Sequence, residues 1–98
     1  MKKVYIGDII EVYIPHYDSK ILALVVDKNK KEELLTIVPV EDTAPERGIK
    51  YGDVYLDPQQ IMSVSNRQVF GVHRKVKSKD FNDIKKELQL NVGGTYGR

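Results

Sequence analysis

The chain contains no cysteine. That absence excludes a disulfide scaffold, a thiolate zinc site and a cysteine nucleophile at once, and it fits a cytoplasmic protein. Long apolar runs are missing too. The longest, Ile21 to Val26, falls far short of the roughly 20 residues that cross a bilayer as a helix. Lys2 and Lys3 could open a signal peptide, but Asp8 and Glu11 interrupt what would be its apolar stretch. Charge of one sign is not in excess either. Sixteen Lys and Arg stand against 14 Asp and Glu, for a net charge of +2. A balance so near neutral argues against polyelectrolyte disorder and against attraction to nucleic acid over the whole surface. Any RNA contact needs a local basic face, and DNA is not an expected partner. No His, Asp or Glu spacing resembles a metal site, so no metal or other cofactor is expected.

What the chain does have is enough apolar material for one core. It runs to 98 residues, 41% of them hydrophobic, which suits a single domain of common size. The first two-thirds reads as short strands. Ile10, Val12 and Ile14 alternate with Ile9, Glu11 and Tyr13, the period-two pattern of a strand with one wetter face. Gly7-Asp8 opens it and Pro15 closes it. Lys20 to Val26 is almost continuously apolar and suits a central strand covered on both faces. Asp27 to Glu33 is polar, with Asn29 as a turn residue, and Leu34 to Val40 completes a hairpin. Glu41 to Gly52, with Pro45, Gly48 and Gly52, reads as a loop of unusual length. Strand character returns at Val54–Leu56, breaks at Pro58, and resumes over Ile61–Val64 and Val69–Val76, with a turn at Asn66-Arg67.

The C-terminal segment has a helical period instead. Ser78 is placed to cap a helix, Phe81, Ile84 and Leu88 recur at helical spacing, and Gly93-Gly94 stops it. Asp80 and Asp83 precede Lys85 and Lys86, which suits the helix dipole. The fold expected from these elements is mainly β, a small barrel or curled sheet of five or six strands closed by one C-terminal α-helix. Residues 1–92 form the domain and 93–98 a tail.

Three pieces in order carry a resemblance: Gly7-Asp8-Ile9-Ile10 opening the first long strand, Ala23-Leu24-Val25-Val26 in the second, and Tyr55-Leu56-Asp57-Pro58-Gln59-Gln60-Ile61-Met62-Ser63-Val64 leading through Arg67 toward a lysine-rich terminal helix. Through nearly its whole length the chain resembles the PemK/MazF toxins of toxin–antitoxin systems. The resemblance implies an SH3-like barrel of the PemK/MazF/CcdB type, usually dimeric. It also implies metal-independent cleavage of single-stranded mRNA and silencing by a small antitoxin. Such cleavage needs a base for the 2′-hydroxyl, an acid for the leaving oxygen, and a cation facing the phosphate. An arginine fork suits that last role.

The working positions of the family carry other residues here. Ile21-Leu22 stands where the family has Arg-Pro, with Lys20 one residue earlier and so on the opposite face of a strand. Glu41 falls at the catalytic Thr or Ser, with Thr43 two residues on. Met62 and Gln68 replace arginines, although Arg67 adjoins the second. Lys20, Glu41 and Arg67 are therefore the candidate catalytic groups, with Glu41 or Asp42 as a general base. His16 and Tyr17, in the loop after the first strand, could supply proton transfer and base stacking, and Gln60 belongs to the Gln-Ile motif. His73, Lys75 and Lys77 would share one strand face, either as a phosphate stripe or as charges guarding a sheet edge. Glu41-Asp42 and Lys85-Lys86 also have the plain reading of solvated surface.

Two functions follow from these substitutions. One is nominally an mRNA endoribonuclease in which Lys20, Arg67 or the histidines take over the lost roles. The alternative is a non-catalytic relative that binds an antitoxin, or pairs as a homodimer or heterodimer with a genuine toxin and holds it inactive, as a phage or mobile element would use it. An unrelated SH3-like interaction module is a third reading.

Overall fold

In the computed structural model, which describes residues 3–44 and 48–91, seven strands precede one helix. The strands are β1 (Asp8–Ile14), β2 (Ser19–Asn29), β3 (Leu34–Glu41), β4 (Ile49–Tyr51), β5 (Val54–Leu56), β6 (Met62–Ser65) and β7 (Val69–Lys75), and α1 spans Ser78–Asn91. They form one antiparallel sheet in the order β4-β5-β3-β2-β1-β7, with β6 also paired to β3. Both β5 and β6 line the same edge of β3: β6 lies along Leu34–Ile37 and β5 along Val40–Glu41. A 3₁₀ turn at Pro58–Gln60 joins them.

Period-two alternation explains the core. Ile10, Val12, Ile14, Ala23, Val25, Leu35 and Ile37 belong to one buried cluster with Val64 and Val69. Their strand neighbours Ile9, Leu24, Val26 and Val38 belong to another, with Leu56 and with Ile84 and Leu88 of α1. The central strands are thus buried on both faces, as the apolar run of β2 predicts. In β1 only Glu11 is exposed and Tyr13 is half-buried, because Ile9 packs into the helix-side cluster. Its wetter face is therefore confined to the far half.

Three expectations need correction. The expected strand total of five or six falls short of the observed seven, because β4 forms inside the stretch read as a continuous loop. Ile49 is the reason: it buries its side chain in the helix-side cluster and pairs with Leu56. The β2–β3 hairpin is also longer than its apolar residues suggest. Lys28 and Asn29 extend β2, and Asn29 Oδ1 accepts the Glu32 amide at 3.2 Å to shape the turn. Finally, the helix begins one position early. Phe81 N donates to Lys77 O at 2.9 Å, so Lys77 holds the cap position and Ser78 is the first helical residue. Pro45, the Gly93-Gly94 stop and the tail lie outside the described residues.

The Gly7-Asp8 pair has a structural role. Gly7 adopts φ +97°, a conformation that side-chain-bearing residues resist. There its N–H donates to Val25 O and its carbonyl accepts from Val76. The buried Asp8 carboxylate accepts the Tyr5 amide at 2.9 Å and the Lys75 ammonium at 3.3 Å. The pair ties β1, β2 and β7 together where the barrel begins.

Candidate functional site

The turn between β1 and β2 is built by Tyr17 N donating to Ile14 O and Asp18 N donating to Pro15 O. Asp18 takes a positive φ of 50° and accepts the Tyr13 hydroxyl at 2.7 Å. This conformation carries Tyr17 outward, 45% exposed, with its ring centroid 5.5 Å from that of His16. Across a cleft the 3₁₀ turn presents Gln60. Asp57 caps that turn by accepting the Gln59 amide at 3.1 Å, and Pro58 occupies its first position. Tyr17 Oη donates to Gln60 Oε1 at 3.1 Å, which bridges the cleft mouth.

The floor of this cleft comes from β2 and β3. Its volume is about 320 Å³, and Tyr17, Ile21, Glu41, Asp57 and Gln60 line it together with Pro39 and Val40. Three sequence candidates, Tyr17, Glu41 and Gln60, therefore converge, and Ile21 lies among them. Its half-buried side chain packs against the barrel core. Glu41 sits at the end of β3. Burial first, then a hydrogen bond to Asp57 and that residue's negative charge, push the Glu41 carboxyl above its ordinary value. Sequence reading missed Asp57 as a site residue, treating it only as part of a motif. An Asp before Pro, opposite the end of a strand, was the available signal.

The remaining candidates sit elsewhere. Lys20 is on the opposite face of β2 from Ile21, as alternation requires, with its ammonium 4.1 Å from the Phe70 ring centroid. Arg67 lies in a second 3₁₀ turn, Asn66–Gln68, that Ser65 and Gln68 close as a capping box. It does not line the cleft. Asp42 and Thr43 are exposed beyond the end of β3. On β7, His73 is the extra residue of a bulge against β1, and a second register shift falls at Phe70. The expected face of His73, Lys75 and Lys77 is thereby broken. Lys75 is held by Asp8, β7 ends there, and His73 is exposed. At the end of the sheet path, a bulged and charged β7 has the features of a guarded edge.

The cleft thus combines two carboxyl groups, a phenol, an amide and an apolar floor. Among the described residues, no lysine, arginine or histidine lines it. Among the described residues no cluster of His, Asp or Glu could hold a metal ion, and no helix is long and apolar enough to cross a membrane.

No protein-family model matches the sequence, and none of the curated proteins does. The structure is similar to a solved endoribonuclease in complex with its cognate antitoxin, from a mycobacterial species. The TM-score is 0.78 over 95% of this chain and 96% of that one, at 14% identity. At that identity the likeness is one of fold: the chain and that endoribonuclease share a small antiparallel barrel with a terminal helix.

Proposed function

We propose that this chain is a PemK/MazF-like protein of toxin–antitoxin systems that acts by protein association rather than by cutting RNA. The observation that carries this reading is Ile21 in the cleft. The resemblance assigns that position to the phosphate-facing arginine, and here a hydrocarbon side chain lies close to Glu41 and Asp57. A phosphodiester entering the cleft would meet negative charge, with no cation among the described lining residues to stabilise the transition state. The partner is an antitoxin or a genuine toxin of the same family, bound as a heterodimer or beside a homodimer.

Two measurements test it. Long single-stranded RNA incubated with the purified protein in chelator stays intact, and the protein associates at micromolar concentration with an active family toxin and protects RNA from it. Site-specific cuts, or no association with toxin or antitoxin, overturn the proposal.

A second reading, metal-independent cleavage of single-stranded mRNA, has one observation in its favour. Burial and the neighbouring Asp57 push the Glu41 carboxyl above its ordinary value, the direction in which a carboxyl becomes a better proton carrier for general acid–base catalysis. Under it Lys20 or Arg67 must reach the phosphate from outside the cleft, and Arg67→Ala or Lys20→Ala abolishes the cuts.

A further inference from the structure

At the opposite end of β2 lies a cleft of different chemistry. Seven residues separate Ile21 from Lys28, roughly 20 Å along the strand. This second cleft also has a volume of about 320 Å³. Leu34 and Leu35 form its apolar floor, and Lys3, Lys28 and Lys30 stand around it against one carboxylate among the described residues, Glu33. Tyr5 lines it with its side chain 54% exposed. The ammonium groups of Lys28 and Lys75 each lie 5.4 Å from the centre of the Tyr5 ring, within cation–π range.

Lys28 is positioned rather than loose. Its Nζ donates to Val4 O at 2.6 Å, which uses one of its three donors and leaves two for a ligand. The strand pairing of Lys28 with Leu35 puts the two side chains next to each other on one face of the sheet, so Lys28 stands beside the apolar floor. An exposed aromatic ring beside several ammonium groups is the arrangement by which proteins hold an unpaired base and its phosphate. A volume near the lower end of small-ligand pockets admits about one such unit.

We infer that the Tyr5–Lys28–Lys30 cleft binds a phosphorylated nucleoside, the base lying against Tyr5 and the leucine floor and the phosphate meeting Lys3, Lys28 and Lys30. The unit is either a free nucleotide or one residue of a single-stranded RNA. This site is independent of the acidic cleft, so its failure leaves the proposed function standing, and the reverse holds too.

The test is fluorescence anisotropy with a labelled octauridylate, and competition by uridine monophosphate, on the full chain at low ionic strength. Binding weakens with salt at a log–log slope of about −0.7, as neutralising one phosphate of a single strand requires. Tyr5→Ala weakens it roughly tenfold and Tyr5→Phe restores it, since stacking needs only the ring. Lys30→Glu, at an exposed turn position, weakens it by tenfold or more, while Lys86→Glu on the exposed side of α1 leaves it unchanged. Circular dichroism of each variant establishes that the fold persists. Octamer affinity more than tenfold above the monophosphate identifies a strand as the ligand, and equal affinities identify a free nucleotide. Either ratio supports the site. The inference is overturned by the absence of saturable binding of both probes at millimolar concentration, by Lys86→Glu weakening binding as much as Lys30→Glu, or by a glutamate-rich decapeptide binding more tightly than either probe.

Discussion

Glu41 shows how one residue reports on the whole cleft. Its carboxyl is raised by burial first and by Asp57 second, so the folded protein holds a proton there at pH values where the unfolded chain has released it. Stability tied to this group is therefore fully present below its ordinary value of 4.5. It falls as pH rises from there through the raised folded value. Once ionised in the folded protein, Glu41 opposes folding. Glu41→Gln is expected to raise the melting temperature at pH 7, with the gain shrinking as pH falls toward 4.5. A melting series from pH 4 to pH 8 checks it; equal stabilisation at every pH would show that Asp57 and burial do not act on this group. Asp57 has a second duty as cap of the 3₁₀ turn, so the same carboxylate that perturbs Glu41 also positions Gln60. None of this was legible from Glu41 and Asp42 as adjacent acids, because their difference is set by what folds against them. Glu41 faces Asp57 and Asp42 faces water.

Among the elements, α1 and β4 illustrate opposite degrees of legibility. The helix announces itself: Phe81, Ile84 and Leu88 repeat at its period, and the structure puts Ile84 and Leu88 in the core. Leu88 is fully buried, so Leu88→Ala is expected to cost about 2–5 kcal/mol by lost burial and cavity formation. Urea unfolding measures this, and a cost below about 1 kcal/mol would mean the helix does not cover the sheet. By contrast β4 has three residues, and within them only Ile49 is buried. No periodicity can emerge from so short a run. Pairing with β5 and the apolar surface beneath Ile49 make it a strand. Bulges in β7 are of the same kind, because the extra residues at Phe70 and His73 are defined by a partner strand. They separate side chains that simple alternation places on one face.

For the molecule as a whole, two apolar clusters share the same three strands. One fills the barrel interior and the other lies between the sheet and α1. Neither can lose β1, β2 or β3 without the other losing its support. Thermal unfolding is accordingly expected as one transition, with calorimetric and van't Hoff enthalpies equal. Two resolved transitions would show that the helix-side cluster melts by itself.

The sequence by itself determined the class of fold, the order of the long strands, the terminal helix and the apolar side chain at Ile21. These follow from local periodicity and residue type, which act wherever the chain goes. Only the tertiary structure decided which polar groups meet. It gathered Tyr17, Glu41, Asp57 and Gln60 into one cleft, kept Lys20 and Arg67 out of it, and assembled Lys3, Tyr5, Lys28 and Lys30 at the far end of β2. Those meetings depend on strand register and crossover, which bring together residues tens of positions apart and leave no periodic trace in the chain.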